Sequence, residues 1–153
     1  MAEDLKKETT VNATRLWTVL ARATNSVAKN LSIHIQTLGI CDSDFAALEA
    51  LLHKGPLAVN EIGSKVLLTS GSMTASIDRL EKKGFVERHN HPTDRRSNLV
   101  HLTSRGKSFI EDAFRDHEKV INDNISVLTQ QDMDSIYPLL KKLGLSIESK
   151  LNE

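Results

Sequence analysis

Two adjacent arginines, Arg95 and Arg96, follow a proline and an acid in the segment "HNHPTDRRSN" at residues 89–98. Alternating apolar residues flank this segment, so the pattern predicts a β-hairpin with a cationic tip. A DNA minor groove is about 6 Å wide, which excludes a helix but admits one arginine side chain. Narrow A·T-rich grooves attract such a side chain. We therefore interpret the tip as a DNA-contacting element in which Asp94 orients one arginine. The alternative is a solvated turn with a weak local salt bridge.

A second candidate for DNA contact is the helix predicted by "TSGSMTASIDRLEKKG". At about 100° per residue, Met73, Ile77 and Leu80 share one side, which we expect to be buried. The opposite side is small and hydroxyl-rich at its start and cationic further along, which suits a major groove. The candidate contacts are Thr69, Ser70, Gly71, Ser72, Thr74, Ala75, Arg79 and Lys82.

One acid on the same face opposes this interpretation. Asp78 would repel DNA unless it pairs with Arg79, Lys82 or a cytosine amino group. A surface helix whose Ser and Thr residues serve only for capping is the alternative.

The charge of the chain is unevenly distributed. The formal net charge is zero, but residues 54–107 contain ten Lys or Arg and five acids, an excess of five positive charges. A basic middle region between acidic ends favours a nucleic-acid partner, although the net charge of the whole chain does not. Chance clustering on a solvated face is the alternative.

The composition is that of one soluble globular domain, with 153 residues and 26% charged side chains. No apolar run approaches the roughly 20 residues of a membrane span. The start, "MAEDLKKETT", lacks the apolar centre of a signal peptide, and one cysteine cannot form an internal disulfide. We expect a cytoplasmic protein without a membrane partner.

The hydrophobic period predicts the order of the elements. A long helix over 10–38 precedes "CDSDFAALEALLHKG", for which we expect Asp42 or Ser43 as N-cap and Gly55 as the end. A short helix in "LAVNEIGSKVLL" then leads to the DNA-contact helix. The hydrophobic period changes to two residues in "FVERH" and "NLVHL", which predict the two strands of the hairpin. Two further helices are predicted to begin after Thr103 and Thr129. The order predicts a mainly α fold, a winged helix-turn-helix with a small β-hairpin wing.

The terminal helices are apolar along one side. The first predicted helix has an apolar stripe along its length. The last predicted helix has a second one, formed by Ile136, Leu139, Leu140, Leu143, Ile147 and Leu151. Such stripes need a surface against which to be buried. Packing within the chain is one solution. An isologous dimer is the other, and it would space two DNA-contacting elements about one DNA turn apart.

Motifs for catalysis are absent from the sequence. "HNH" at 89–91 has no accompanying acid cluster, so a nuclease is not expected. His89, His91 and His101 lie on the predicted strands and could bind zinc, but only three ligands are visible, and solvent-facing histidines fit equally well. No Ser/His/Asp set, phosphate loop or paired carboxylates are present. We expect no enzyme, no cofactor and no metal.

Cys41 is a candidate redox residue. Asp42 and Asp44 disfavour the thiolate, whereas the start of a helix favours it. A half-buried small residue without redox function is the alternative.

The block from His53 to Lys107 resembles the MarR family of bacterial transcription regulators. The matching motifs are "NEIGSKVLLTSGSMTASIDRLEKKGFVER" and "PTDRRSNLVHLTSRGK", and the second has the family's Asp-x-Arg and later Leu-Thr at Asp94, Arg96, Leu102 and Thr103. Within the family, "HKG…IGSKVLLTSGSMT…IDRLEKK" is most similar to the methylhydroquinone-resistance regulators, which respond to quinones and related phenols.

The resemblance implies one MarR-type domain over 1–153. A DNA-binding lobe at about 42–105 would lie between helical dimerisation regions, 1–40 and 106–153. It also implies a homodimeric repressor on a palindromic double-stranded operator, with Arg96 in the minor groove. Arg95 would contact phosphate, and Arg88 would support the wing or touch phosphate.

The resemblance further implies a small phenolic or quinone-like effector between the dimer helices and the DNA-binding lobe. The candidate contacts are Trp17, His34, Phe45, His53 and Tyr137, each of which is also a typical packing residue. The family's peroxide sensors carry their cysteine in the first helix, so Cys41 departs from that pattern. The alternative function is a cysteine-redox or metal-responsive regulator on the same scaffold.

Overall fold

The computed structural model describes residues 10–66, 70–90 and 98–151, with side chains from 73 onward in the second range. Thr69 and the wing tip, with His91, Asp94, Arg95 and Arg96, lie outside these ranges. The elements are α1 (Ala13–Thr37), α2 (Asp42–Lys54), β1 (Leu57–Ala58), α3 (Val59–Lys65), α4 (Ser70–Lys82), β2 (Val86–Asn90), β3 (Asn98–Leu102), α5 (Ser104–Ile125) and α6 (Gln130–Leu151).

The predicted fold class is confirmed. The described residues form a mainly α chain in which α3 and α4 make the helix-turn-helix and β2 and β3 make the wing. The chain divides into two compact units, one up to His117 and one from Glu118. The first contains the helix-turn-helix and the wing. The second contains the end of α5 and all of α6. In the part of the chain that the structure describes, no helix is long and apolar enough to cross a membrane.

The first unit is built on a continuous apolar core. Met73, Ile77 and Leu80 of α4 are fully buried, as their spacing predicted, and they share this core with Leu48 of α2 and Ile62 of α3. Burial of such a side chain contributes about 1.5–3 kcal/mol, so the inner face of α4 is firmly held. The outer face is therefore fixed in orientation as well.

The start of α2 differs from the prediction. Its N-cap is Cys41, which makes no side-chain capping hydrogen bond, so the expectation of Asp42 or Ser43 as N-cap is wrong. The physical reason is that polar side chains at the start of α2 bind side chains of α4 instead of capping their own helix. Ser43 accepts a hydrogen bond from Ser76 at 2.6 Å, and Asp44 binds Arg79, so these polar groups serve contacts between helices. Gly55 ends α2 as predicted, at a φ of 78° that favours glycine.

The wing belongs to a three-stranded antiparallel sheet in the order β1-β3-β2. The predicted hairpin pairs Val86 with Leu102 and Asn90 with Asn98. Strand β1 was not predicted, and it pairs Leu57 with Val100. A strand of two residues is too short to show a period of two, so its sequence looked like the start of the next helix.

Side-chain capping starts both C-terminal helices as predicted. Thr103 Oγ1 accepts from Gly106 N at 3.0 Å and donates to the Gly84 carbonyl at 2.7 Å. Thr129 Oγ1 accepts from Asp132 N at 3.2 Å at the start of α6. These bonds satisfy backbone groups that a helix end leaves unpaired.

Candidate nucleic-acid interface

The outer face of α4 is the first half of the candidate interface. Thr74, Ala75 and Lys82 are exposed beside the buried apolar residues, and Ser70, Gly71 and Ser72 lie in the first turn of the helix. The structure therefore places most of the residues predicted to contact DNA on one helix, α4. An exposed, initially small and then cationic face is suited to close approach to DNA.

Arg79 has a different environment from its neighbours on α4. Its Nη2 lies 2.6 Å from Asp44 Oδ1 of α2, and the Asp44 side chain is only 2% exposed. The same nitrogen donates to Ser76 Oγ at 2.9 Å. The hydrogen bond that Arg79 donates to Asp44 raises the pKa of Arg79 above its ordinary value. Arg79 thus holds α4 against α2, a contact that sequence spacing could not reveal because the partners are 35 residues apart.

Arg88 on β2 also turns back to α4. Its Nη2 lies 2.6 Å from Asp78 Oδ1, and its Nη1 forms an ion pair with Glu81. The hydrogen bond with Asp78 raises the pKa of Arg88 above its ordinary value. Asp78, whose negative charge on this face of α4 would repel DNA, therefore has a cationic partner. That partner is Arg88 of the wing, whereas the sequence suggested Arg79 or Lys82.

Two of the three wing histidines, His89 and His101, lie among the described residues, and their rings contact each other. His89 and His101 have ring centroids 4.5 Å apart, and His89 Nε2 lies 2.9 Å from Glu87 Oε1. Among the described residues, no group of three His, Cys, Asp or Glu side chains is arranged to hold a metal ion.

Cys41 is exposed, so the alternative of a half-buried small residue is wrong as to its burial, and a redox role stays a prediction. Its Sγ accepts a hydrogen bond from Arg79 Nη2 at 3.1 Å and lies 3.3 Å from Ser43 Oγ. The N-cap position places the side chain at the surface, ahead of the first buried turn of α2.

The effector candidates are only partly brought together. His34 and Phe45 both meet His117, which the sequence analysis missed. Nδ1 of His34 lies 3.3 Å from Nδ1 of His117, and the Phe45 ring centroid lies 4.6 Å from that of His117. His53 makes an edge contact with Phe114 instead.

The other two aromatic candidates are surface residues of helices in different units. Trp17 is 66% exposed on α1 and Tyr137 is 68% exposed on α6, where Lys141 Nζ lies 5.9 Å from its ring centroid. Exposed aromatic side chains can contribute to an interface or a ligand site.

His117 is expected to make the stability of the fold depend on pH. Burial, and then the neighbouring His34, lower its pKa below the ordinary value, while Asp42 acts weakly in the opposite direction. The folded state therefore binds fewer protons than the unfolded state as pH falls through about 6.5, and the free energy of unfolding decreases. Above that pH this contribution is constant.

His117→Gln removes this titration and should flatten the fall of the melting temperature between pH 7.5 and pH 5.5. The control is His89→Gln on the exposed wing strand, which should retain the pH dependence of the original chain. An equal fall in both variants would refute the assignment to His117.

Comparison with known proteins gives the family. The sequence pattern of the MarR family matches residues 41–97, from the N-cap of α2 to the wing tip. The HTH-type transcriptional regulator MhqR of Bacillus subtilis (strain 168) is 37% identical over 144 residues, covering 94% of this chain and 99% of that protein. This chain belongs to the MarR family. The similarity to MhqR confirms the expected subgroup.

Solved structures of MarR-family members support the same assignment. A mutant MarR from E. coli, complexed with operator DNA, has a TM-score of 0.75 and 25% identity, covering 84% of this chain and 92% of that one. AbsC from Streptomyces coelicolor has a TM-score of 0.80 at 18% identity, covering 91% and 97%, and shows the shared fold. The chain is therefore a DNA-binding transcriptional regulator with a winged helix, and not an enzyme.

Proposed function

We propose that this MarR-family chain is a homodimeric repressor that binds a palindromic operator and is released by a small phenolic or quinone-like effector. One observation carries the proposal: α4 is locked to the core by three fully buried residues, and its outer face lies next to a wing whose tip contains Asp94-x-Arg96. A fixed helix followed by a cationic hairpin is the arrangement that reads adjacent major and minor grooves.

The proposed contacts divide by groove. The first turn of α4, with Thr69 before it and Thr74 and Ala75 after it, approaches base edges, and Lys82 approaches phosphate. Arg96 enters the minor groove, Asp94 orients it and Arg95 binds phosphate. Small side chains near the start of α4 support this division because they allow the backbone to come close to the bases.

Exposed apolar side chains on both terminal helices support the dimer. Among the described residues, none of α6 is buried, although apolar residues lie along it, among them Ile136, Leu139, Leu140, Leu143, Leu145, Ile147 and Leu151. On α1, Leu16, Trp17 and Val19 are each more than half exposed. Exposed apolar side chains along a helix are typical of an interface between subunits. A second copy of the chain is the occupant that also explains a palindromic site.

The effector half of the proposal rests on the subgroup and on the His34–Phe45–His117 cluster. This cluster joins α1, α2 and α5, so a ligand that separates these side chains would change how the helices pack. Such a ligand releases the operator only if it binds the conformation that is unable to bind DNA more tightly.

Footprinting tests the proposal on DNA upstream of the chain's own gene. Two protected half-sites about ten base pairs apart are expected for a dimer with two reading helices. A panel of phenols and quinones should remove the protection. No protection of any such DNA would refute operator binding, and protection that no compound of the panel removes would refute the effector class.

Arg96→Ala should weaken operator binding by about 1–3 kcal/mol, because the minor-groove arginine is lost. A titration at physiological salt measures the change. The control is Arg115→Ala, which removes an exposed arginine of α5 that pairs with Asp112 and lies outside the family-matched segment. Equal affinities of the two variants would contradict the assignment of Arg96.

A further inference from the structure

Arg88 connects the wing to α4, the proposed recognition helix, through two separate ion pairs. One guanidinium nitrogen binds Asp78 at 2.6 Å and the other binds Glu81, while the Arg88 side chain is only 24% exposed. Asp78 and Glu81 are three residues apart, so they share one face of α4. A single residue of β2 therefore fixes two points on the helix that we expect to enter the major groove.

For the role of Arg88, the geometry of its ion pairs matters more than their contribution to the stability of the fold. Asp78 and Glu81 are 52% and 41% exposed, and exposed ion pairs typically contribute only about 0–1 kcal/mol to stability. The guanidinium plane, however, has its donors in a rigid fork. With one nitrogen on each carboxylate, the fork sets the direction of β2 relative to α4. The compact ammonium of a lysine has the same charge but no such fork.

The charge of Arg88 is already committed within the protein. Two carboxylates surround the Arg88 guanidinium, so this cation is less available to a DNA phosphate than the exposed Lys82 of α4. The same contact offsets the negative charge of Asp78 on the face turned to DNA.

We infer that Arg88 is a positioning residue, which holds the wing at a fixed angle to the recognition helix and makes no phosphate contact itself. This inference rests on the proposed binding of the operator by α4 and the wing. The wing and the helix read neighbouring grooves of the same site, so an error in their angle lowers the affinity for the correct sequence. Binding to unrelated DNA is mainly electrostatic and does not need that angle.

Arg88→Lys is the decisive variant because it keeps the charge and removes the fork. Affinities are measured for the operator and for unrelated duplex DNA over a range of salt concentrations. We expect operator affinity to fall roughly tenfold, comparable to one mismatched base pair, while unrelated-DNA affinity and the salt dependence stay unchanged. The control is Arg115→Lys, which should leave both affinities unchanged.

A second variant removes the acceptors. Asp78→Ala combined with Glu81→Ala deletes two negative charges beside DNA, so a purely electrostatic role predicts tighter binding to all DNA. Positioning predicts that the ratio of operator affinity to unrelated-DNA affinity falls as in Arg88→Lys. Thermal unfolding of each variant verifies that it is folded.

Several results would overturn the inference. One is an Arg88→Lys protein with the affinities of the original chain, together with an Arg88→Ala protein that loses affinity for both DNAs and about one unit of salt dependence, as expected for a phosphate contact. Another is an unchanged affinity ratio in the double alanine variant. Failure of the unaltered chain to protect any operator would instead refute the proposed function.

Discussion

Gly106→Ala is expected to lower the free energy of unfolding by at least about 3 kcal/mol, the upper end of the usual cost of overpacking. A Cβ at this position would lie 1.8 Å from the carbonyl oxygen of Phe85 and 2.7 Å from its carbonyl carbon. These are backbone atoms, and they cannot move freely because Phe85 O also accepts from Thr103 N at 3.1 Å. The junction of α5 with the wing sheet would have to open. Urea denaturation measures the loss.

Gly144→Ala is the matched control, because it makes the same chemical change in the interior of another helix. Among the residues that the structure describes, nothing lies within 4 Å of a Cβ at Gly144, so alanine should stabilise α6 by up to about 1 kcal/mol. The two substitutions should therefore have opposite signs. A neutral Gly106→Ala would show that α5 and Phe85 are not in the close contact described.

Arg79→Ala is expected to cost about 2–3 kcal/mol of unfolding free energy. It leaves the Asp44 carboxylate, with 2% of its side chain exposed, without its guanidinium partner. Loss of one partner of a fully buried pair costs about 3–5 kcal/mol, and the value is reduced here because Arg79 is itself 44% exposed and water reaches the site. Denaturation of Arg79→Ala, of Asp44→Asn and of the double variant separates the pair interaction.

Arg115→Ala serves as the control for the loss of an arginine. The Arg115–Asp112 pair has a distance of 3.2 Å but is exposed on both sides, so its removal should change stability by no more than about 0.5 kcal/mol. Arg79→Ala with an equally small effect would indicate that Asp44 does not need its partner.

The Arg79 prediction and the Arg88 inference both concern how α4, the proposed recognition helix, is supported. Arg79 connects α4 to α2, and Arg88 connects α4 to the wing. Two cations that looked available for DNA in the sequence are thus engaged within the protein. Lys82 is another exposed cation of α4. Its contact with DNA, like those of Arg95 and Arg96 at the wing tip, stays a prediction.

Most of the fold was predictable because its signals are local. The inner face of α4 follows from the spacing of Met73, Ile77 and Leu80, and the hairpin follows from the change of period after Gly84. Helix ends at Gly55 and Gly84 follow from their positive φ angles, which few other residues adopt. Strand β1 was missed because two residues are too few for any period to be visible.

The candidate site was less predictable than the fold. Sequence reasoning predicted the buried side of α4 and the strands of the hairpin, but it did not predict that Arg79 binds Asp44. The contacts of these elements with DNA stay predictions. Sequence reasoning also missed His117, which meets His34 of α1 from 83 residues away. Neither pairing follows from a local pattern, because each depends on how two helices pack.

The sequence by itself determined the order of the helices and the hairpin, the buried face of α4, the basic region and the family, since periodicity, turn residues and motifs are encoded over short stretches. The tertiary structure alone decided which charged side chains are available to a partner. Asp44 is buried and Cys41 is exposed at the start of one helix, and Arg88 is shared between two carboxylates. The reason is physical: burial and ion pairing depend on distances between elements remote in the chain, and those distances exist only after the core has packed.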